Sequence, residues 1–215
     1  MRSPIRPSAI AQAMTLHLTI QAPSLFIQTH LDQLLPAWSR PAASMLLVLQ
    51  VSQYDLLHQT VQTELEKERL RSYFLQFGVR IALQLQEEGY LADLFDPRTG
   101  RPLLSRPGLL SMDDVAVVRA CLGYETTNRC GCSVLVHPIW GGAVYPSTLL
   151  SSAPVDVLAE VCQTELLLRH SYPTSAMVEC NGSGGVFKRS EYHQSLSSPG
   201  SLNQYTVMTS GSGVG

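Results

Sequence analysis

Five large apolar residues, Leu70, Phe74, Phe77, Ile81 and Leu85, recur at steps of four, three, four and four. That spacing places them on one face of an α-helix and predicts a helix over about Lys67 to Glu88. Gly89 follows as the residue suited to the left-handed conformation that ends helices. A striped helix must bury its apolar face against another layer, and the flanking segments read as strands. Thr15 to Gln21 alternates Leu16, Leu18 and Ile20, and Met45 to Gln53 is apolar enough for a central strand. A turn at Tyr54-Asp55 would return Leu57 to Leu65 beside it as a hairpin partner. Between the first two strands, Pro23 and Ser24 open a short helix that reaches about Leu35 and stops at Pro36. Its expected stripe is Phe26, Ile27, His30, Leu31, Leu34 and Leu35.

After the long helix, Tyr90 to Phe95 is short and apolar, and Asp96-Pro97-Arg98-Thr99-Gly100 is a turn. Asp bonds the backbone ahead of it, Pro fixes φ and Gly relieves the exit. Arg101 to Met112 reads as loop, and Asp113-Asp114 as a cap for the next segment, with a metal-binding or acid–base pair as the alternative. The run Glu66, Lys67, Glu68, Arg69 and Arg71 reads as a solvated helix start. Ser152-Ala153-Pro154 opens a last helix with Val155, Leu158, Cys162 and Leu166 on one face and Arg169-His170 at its end. Cys162 then serves as a small core residue. Strands, a helix and more strands, without βαβ repeats, define an α+β fold with a largely antiparallel sheet.

The chain has 215 residues, 45% of them hydrophobic, which suits one domain with tails. We expect a leader over residues 1–14, a folded domain over 15–170 and a disordered Ser/Gly-rich tail over 171–215 that includes Cys180. Gly182-Ser183-Gly184-Gly185 follows no strand, so it does not read as a phosphate loop. A net charge of -2 gives no electrostatic case for nucleic acid. Met45 to Val51, the longest strongly apolar run, is far short of the roughly 20 residues of a membrane span, so a soluble protein is expected. Five cysteines, without a secretory signal in view, favour a reducing compartment. Residues 1–31 contain no Asp or Glu, and with Arg2, Arg6, Ser3 and Ser8 they resemble a mitochondrial presequence ending by about Met14; a frayed terminus is the other reading.

The stretch from Cys130 to Gly142 concentrates chemistry: it holds Cys130, Cys132, Trp140 and the pair Gly141-Gly142. Val134, Leu135 and Val136 predict a short buried strand, partnered by Ala143 to Leu149 through a turn at Trp140-Gly141-Gly142. Alternation groups Cys130, Cys132, Val134 and Val136 on one face, and Gly131, Ser133, Leu135 and His137 on the other. A thiolate is a soft donor suited to polarisable metal centres, and Arg129 beside Cys130 favours the ionised thiol. A closed zinc site needs four ligands, and only two are in register.

Glu88-Gly89-Tyr90-Leu91-Ala92-Asp93-Leu94-Phe95-Asp96-Pro97 resembles the Glu-Gly-Tyr-Trp-Ala-Asp-Phe-Ile-Asp-Pro segment of the methylmalonic aciduria and homocystinuria type D family, MMADHC. Leu122-Gly123-Tyr124 resembles that family's Leu-Gly-Phe. Ungapped from there, the family's Gly-Cys-Cys falls on Cys130-Gly131-Cys132 and its Trp-Gly on Trp140-Gly141. The order of elements also agrees from about Thr15 to the last helix. The resemblance implies a nitroreductase-like scaffold without flavin, and a cobalamin-trafficking protein of cytoplasm or mitochondrion rather than an enzyme. It implies pairing with the cobalamin-processing type C protein, MMACHC, and routing of cobalamin toward methionine synthase and methylmalonyl-CoA mutase. It also implies a cysteine thiolate given to the cobalt of the partner-bound cofactor. The family's ligand, the first cysteine of its pair, falls on Gly131; Cys132 matches the second cysteine and Cys130 a glycine, so Cys132 and then Cys130 are the candidate cobalt ligands. A thiol-redox enzyme using Cys130 and Cys132, and a flavin reductase on the same scaffold, are the competing readings.

Overall fold

The structure is a computed structural model and describes residues 15–129, 132–168 and 175–181. The first two strands, β1 (Thr15–Gln21) and β2 (Ser44–Val51), pair antiparallel with Leu18 opposite Val48. Between them lie two short helices, α1 (Leu25–Thr29) and α2 (Leu31–Leu34), rather than one. Ser24 caps the first, and His30 separates them, its backbone N–H and ring Nδ1 both bonding the Phe26 carbonyl. The break divides the expected stripe: Ile27, Leu34 and Leu35 are buried, whereas Phe26 stacks on His30 in solvent.

The long helix α3 (Val61–Glu87) starts six residues before the expected Lys67 and removes the hairpin partner read over Leu57 to Leu65. Thr60 and Thr63 form a reciprocal capping box, at 3.1 and 2.8 Å, that starts the helix there. Val61 and Leu65 are exposed while Thr63 between them is buried, which breaks a strand's alternation and fits a helix. At the other end Gly89 has φ 85, its N–H bonds the Gln86 carbonyl, and the Tyr90 N–H reaches the Leu85 carbonyl. These two bonds close a Schellman motif. The charge run lies inside α3 and is only partly solvated: Glu66 is buried, accepting from Arg69 and from the Gln53 N–H. Hydrogen bonding from Arg69 holds the Glu66 carboxyl below its usual range.

The helix leads to β3 (Ala92–Leu94), the Asp96–Gly100 turn, and then α4 (Asp114–Leu122), β4 (Glu125–Arg129), β5 (Cys132–Val136), β6 (Val144–Ser151), α5 (Val155–Leu168) and β7 (Ser175–Asn181). Asp113 is the N-cap of α4, accepting from the Ala116 N–H at 3.0 Å, and Gly123, with φ 69, ends it. The main sheet has the order β3-β6-β2-β1-β7, antiparallel except for the β1–β7 pair, while β4 and β5 form a separate two-stranded sheet. The fold is therefore α+β and largely antiparallel. β6 pairs with β2 and β3, so it is not the partner of the Cys132 strand; that partner is β4.

Alternation along β1 and β2 divides the interior in two. Leu16, Leu18, Ile20, Leu46 and Val48 pack under Phe74, Phe77, Ile81 and Leu85 of α3 and under Leu158 and Cys162 of α5. Met45, Leu47 and Leu49 face the other way, toward Ile27, Leu34, Val118 of α4 and Leu135 of β5.

Residues 171–215 were expected to lack structure, but Ser175–Asn181 within them forms β7, parallel to β1 with Val178 opposite Leu18. The remainder of that segment, the expected leader over 1–14 and Arg169-His170 lie outside the described residues. β7 covers the hydrogen-bonding edge of β1, which would otherwise end the sheet. A chain ending at Leu168 should therefore melt below one ending at Asn181, by roughly 2–4 °C for each kcal/mol the strand contributes. Equal melting temperatures in calorimetry would show that the strand contributes nothing.

Candidate functional site

β4 and β5 pair with Arg129 opposite Cys132, Thr127 opposite Val134 and Glu125 opposite Val136. β4 is Glu-Thr-Thr-Asn-Arg, with no apolar residue to announce it. In β5, Leu135 is buried, Val134 and Val136 are half-buried and Ser133 is exposed, so the strand is less buried than expected. Cys132 opens β5 at a register position shared with Val134 and Val136. Cys130 and Gly131 stand between the two strands and lie outside the described residues. The other cysteines are elsewhere: Cys121 is in α4, Cys162 is buried on the far side of the main sheet, and Cys180 is in β7 opposite Ile20.

The chain leaves β5 through a tight, bridged turn in which His137 and Gly141 exchange backbone bonds of 2.8 and 2.9 Å. Gly141 has φ 56, a conformation that favours glycine. The His137 ring lies inside this turn, 4% exposed and stacked on Trp140 at 4.0 Å. Its Nδ1 accepts from the Ile139 and Trp140 N–H groups at 3.1 and 3.2 Å, so the neutral ring carries its proton on Nε2. Tyr124, at the foot of β4, meets the ring edge-on at 5.1 Å, and His17 of β1 does so at 6.0 Å. Burial, and then the neighbouring His17, lower the His137 pKa from about 6.5 to about 4. Sequence reading singled out Trp140 and His137 but gave no sign that His17 would join them.

A cavity of about 340 Å3 lies on the flank of the hairpin. Its walls are Ser133, Val134 and Leu135 of β5, the start of α4, the Asp-Pro turn and β6. The turn is fixed by a bidentate ion pair: Arg71 of α3 donates to both carboxylate oxygens of Asp96 at 2.6 and 2.9 Å, and also to Glu68. Hydrogen bonding from Arg71 holds the Asp96 carboxyl below its usual range. Asp114 behaves oppositely. It is 7% exposed, and its Oδ1 has no hydrogen-bond partner. Burial raises its pKa to about 7; the nearby Thr148 hydroxyl opposes the shift without bonding Oδ1, and Asp113 and Asp96 add to it. The two adjacent acids thus have separate roles, and among the described residues no group of three His, Cys, Asp or Glu is placed to hold a metal ion.

Comparison with known proteins identifies the family. The sequence profile of the methylmalonic aciduria and homocystinuria type D protein matches residues 6–162, and the chain belongs to that family. It is similar to proteins named cobalamin trafficking protein CblD from Rattus norvegicus and Homo sapiens, each 24% identical over 137 residues. The Gallus gallus protein of that name is 23% identical over the same length. These matches cover 64% of this chain and 46% of each relative, so the chain spans about half the length of the curated relatives it matches. Among the described residues no helix is long and apolar enough to cross a membrane. The family-like segments fall at the end of α3 with β3 and the Asp-Pro turn, at the C-cap of α4, and on the hairpin and its exit turn.

The buried His137 ring sets an acid limit. On acidification the unfolded chain protonates this ring near pH 6.5, while the folded ring resists until about pH 4. Its contribution to stability is fully present above pH 6.5 and lost as the pH falls through that window. Urea unfolding from pH 7 to 4 should show stability falling more steeply in the wild type than in His137→Phe. Parallel curves would contradict the assignment.

Proposed function

We propose that this protein is a cobalamin-trafficking adaptor rather than an enzyme, working in cytoplasm or mitochondrion. It receives cobalamin from the type C processing protein and routes it toward methionine synthase and methylmalonyl-CoA mutase. Its scaffold is of the nitroreductase-like kind, used without flavin. The thiolate of Cys132 supplies an electron pair to the cobalt of cobalamin held by the partner. Family membership over residues 6–162 and the trafficking role in the relatives' names support the reading. The observation that carries the site is the position of Cys132: it opens β5, in register with the half-buried Val134 and Val136, in the stretch that resembles the family's Gly-Cys-Cys.

Cys132 and Cys130 make different predictions. Mixing the protein with cobalamin-loaded type C protein should change the cobalamin absorption spectrum as a cobalt–sulfur bond forms. Cys132→Ser should abolish the change, and Cys130→Ser should leave most of it. The reverse pattern would transfer the role to Cys130. An undiminished change in both variants would remove the thiolate role from this stretch, and no change with the unaltered protein would overturn the adaptor reading.

A further inference from the structure

We infer that the cavity beside the β4–β5 hairpin is a binding site for a small organic cation, an alkylammonium or guanidinium, with Asp114 as its counter-ion. This site is independent of the thiol chemistry proposed for Cys132. At about 340 Å3 the cavity falls within the size range of small-molecule sites. It combines apolar walls, such as Leu56, Met112 and Val144, with one buried carboxyl whose Oδ1 has no partner. A buried carboxylate without a counter-ion is unfavourable, and such groups are ordinarily paired.

Lys67 and Arg98 also line the cavity, and the cations within reach are already engaged. From α3, Lys67 pairs with Glu64 at 2.8 Å, and Arg71 is held by Asp96 and Glu68. From the turn, Arg98 lies 3.6 Å from Glu68 and is largely exposed. No ion pair among the described residues includes Asp114. The remaining ionisable groups facing it are Asp113 on its own helix, Asp96 in the turn and Tyr145 of β6. Burial pushes the Tyr145 phenol above its usual range, so it stays neutral. The stretch of β5 that lines the cavity, Ser133 to Leu135, has no ionisable side chain. The groups facing Asp114 are therefore acids, a neutral phenol and the Thr148 hydroxyl, so beyond the N–H groups at the start of α4 an ionised carboxylate has no ionic partner, which favours a positive group. A metal ion lacks a ligand set here. The apolar walls suit a cation carried on an alkyl stem.

Agmatine, an alkyl chain bearing guanidinium and ammonium ends, is the probe, with neutral butanamide as control. Isothermal titration of the full chain at pH 8 should show saturable agmatine binding and no comparable butanamide binding. Because the Asp114 carboxyl must lose its proton from a pKa of about 7, affinity should fall roughly tenfold between pH 8 and pH 6. At pH 6 the heat should depend on the buffer's ionisation enthalpy, reporting a released proton. Asp114→Asn should weaken binding at least tenfold at pH 8 and abolish the pH dependence. The proton release needs no variant, so the test stands if the substitution impairs folding. Absence of saturable agmatine binding at pH 8, equal binding of butanamide, or affinity independent of pH would overturn the proposal.

Discussion

Burial of β2 on both faces is the constraint on which the rest of the structure depends. Met45 through Leu49 are all inaccessible to solvent, so neither face of the central sheet is left to water. A strand buried this way needs a layer above and a layer below. The helix stripe of α3, joined by α5, supplies one. Among the described residues no comparable helix covers the other, which is assembled from α1, α2, α4 and the β4–β5 hairpin. The hairpin is thus part of the covering layer, held to the sheet by Leu135. Gln50, a buried polar side chain of β2, faces α3 and donates to the Leu70 carbonyl at 3.0 Å. That bond ties strand to helix and offsets part of the cost of burying an amide.

Arg71 connects this core to the Asp-Pro turn beside the hairpin. It projects from the third turn of α3, two-pronged onto Asp96, and Asp96 in turn accepts from the Arg98 N–H. Planar, bidentate pairing of this kind gives geometry as well as energy. It keeps Asp96 ionised, and the ionised Asp96 helps to disfavour ionisation of Asp114. Two nearby aspartates are driven in opposite directions because one has an arginine, whereas the other has burial and like charges against a single hydroxyl.

Elements with a strong apolar period were legible in the sequence. β1 falls on the expected Thr15–Gln21, the stripe of α3 is buried as its spacing required, and Gly89 and the Asp-Pro turn do the work their residue types suggest. What escaped was structure set by partners rather than by pattern. Glu-Thr-Thr-Asn-Arg becomes β4 through pairing with β5, without an apolar period, and the short alternation of Ala176, Val178 and Cys180 becomes β7 only through pairing with β1. The strand expected over Leu57 to Leu65 gives way to helix because Thr60 and Thr63 form a capping box that uses a Thr where Glu or Gln is usual. At the site, Cys132 could be placed on a strand from sequence, but His17 could not be brought to His137, because that meeting depends on the sheet order. Asp114 was visible only as half of an acidic pair, since its burial comes from how α4 docks beside β6.

Strand register limits how this chain can accommodate its departure from the family motif. In the resemblance to the family's Gly-Cys-Cys, the expected ligand position falls on Gly131, one residue from either cysteine. Sliding β5 by one residue would move a thiol into that place, but it would also take Leu135 out of the core and turn Val134 and Val136 inward. Leu135 is 1% exposed and packs with the same cluster as Leu47, Leu49 and Val118, so such a slip loses a fully buried leucine. Burying a leucine side chain contributes about 1.5–3 kcal/mol, and the cavity left behind adds to the loss. The exit turn resists as well, since the His137–Gly141 bridge and the two N–H bonds to the His137 ring fix the residue that follows β5. With Leu135 buried and the exit turn fixed, the register cannot supply the shift. In the proposed thiolate role, Cys132 therefore acts from the position it already holds in β5.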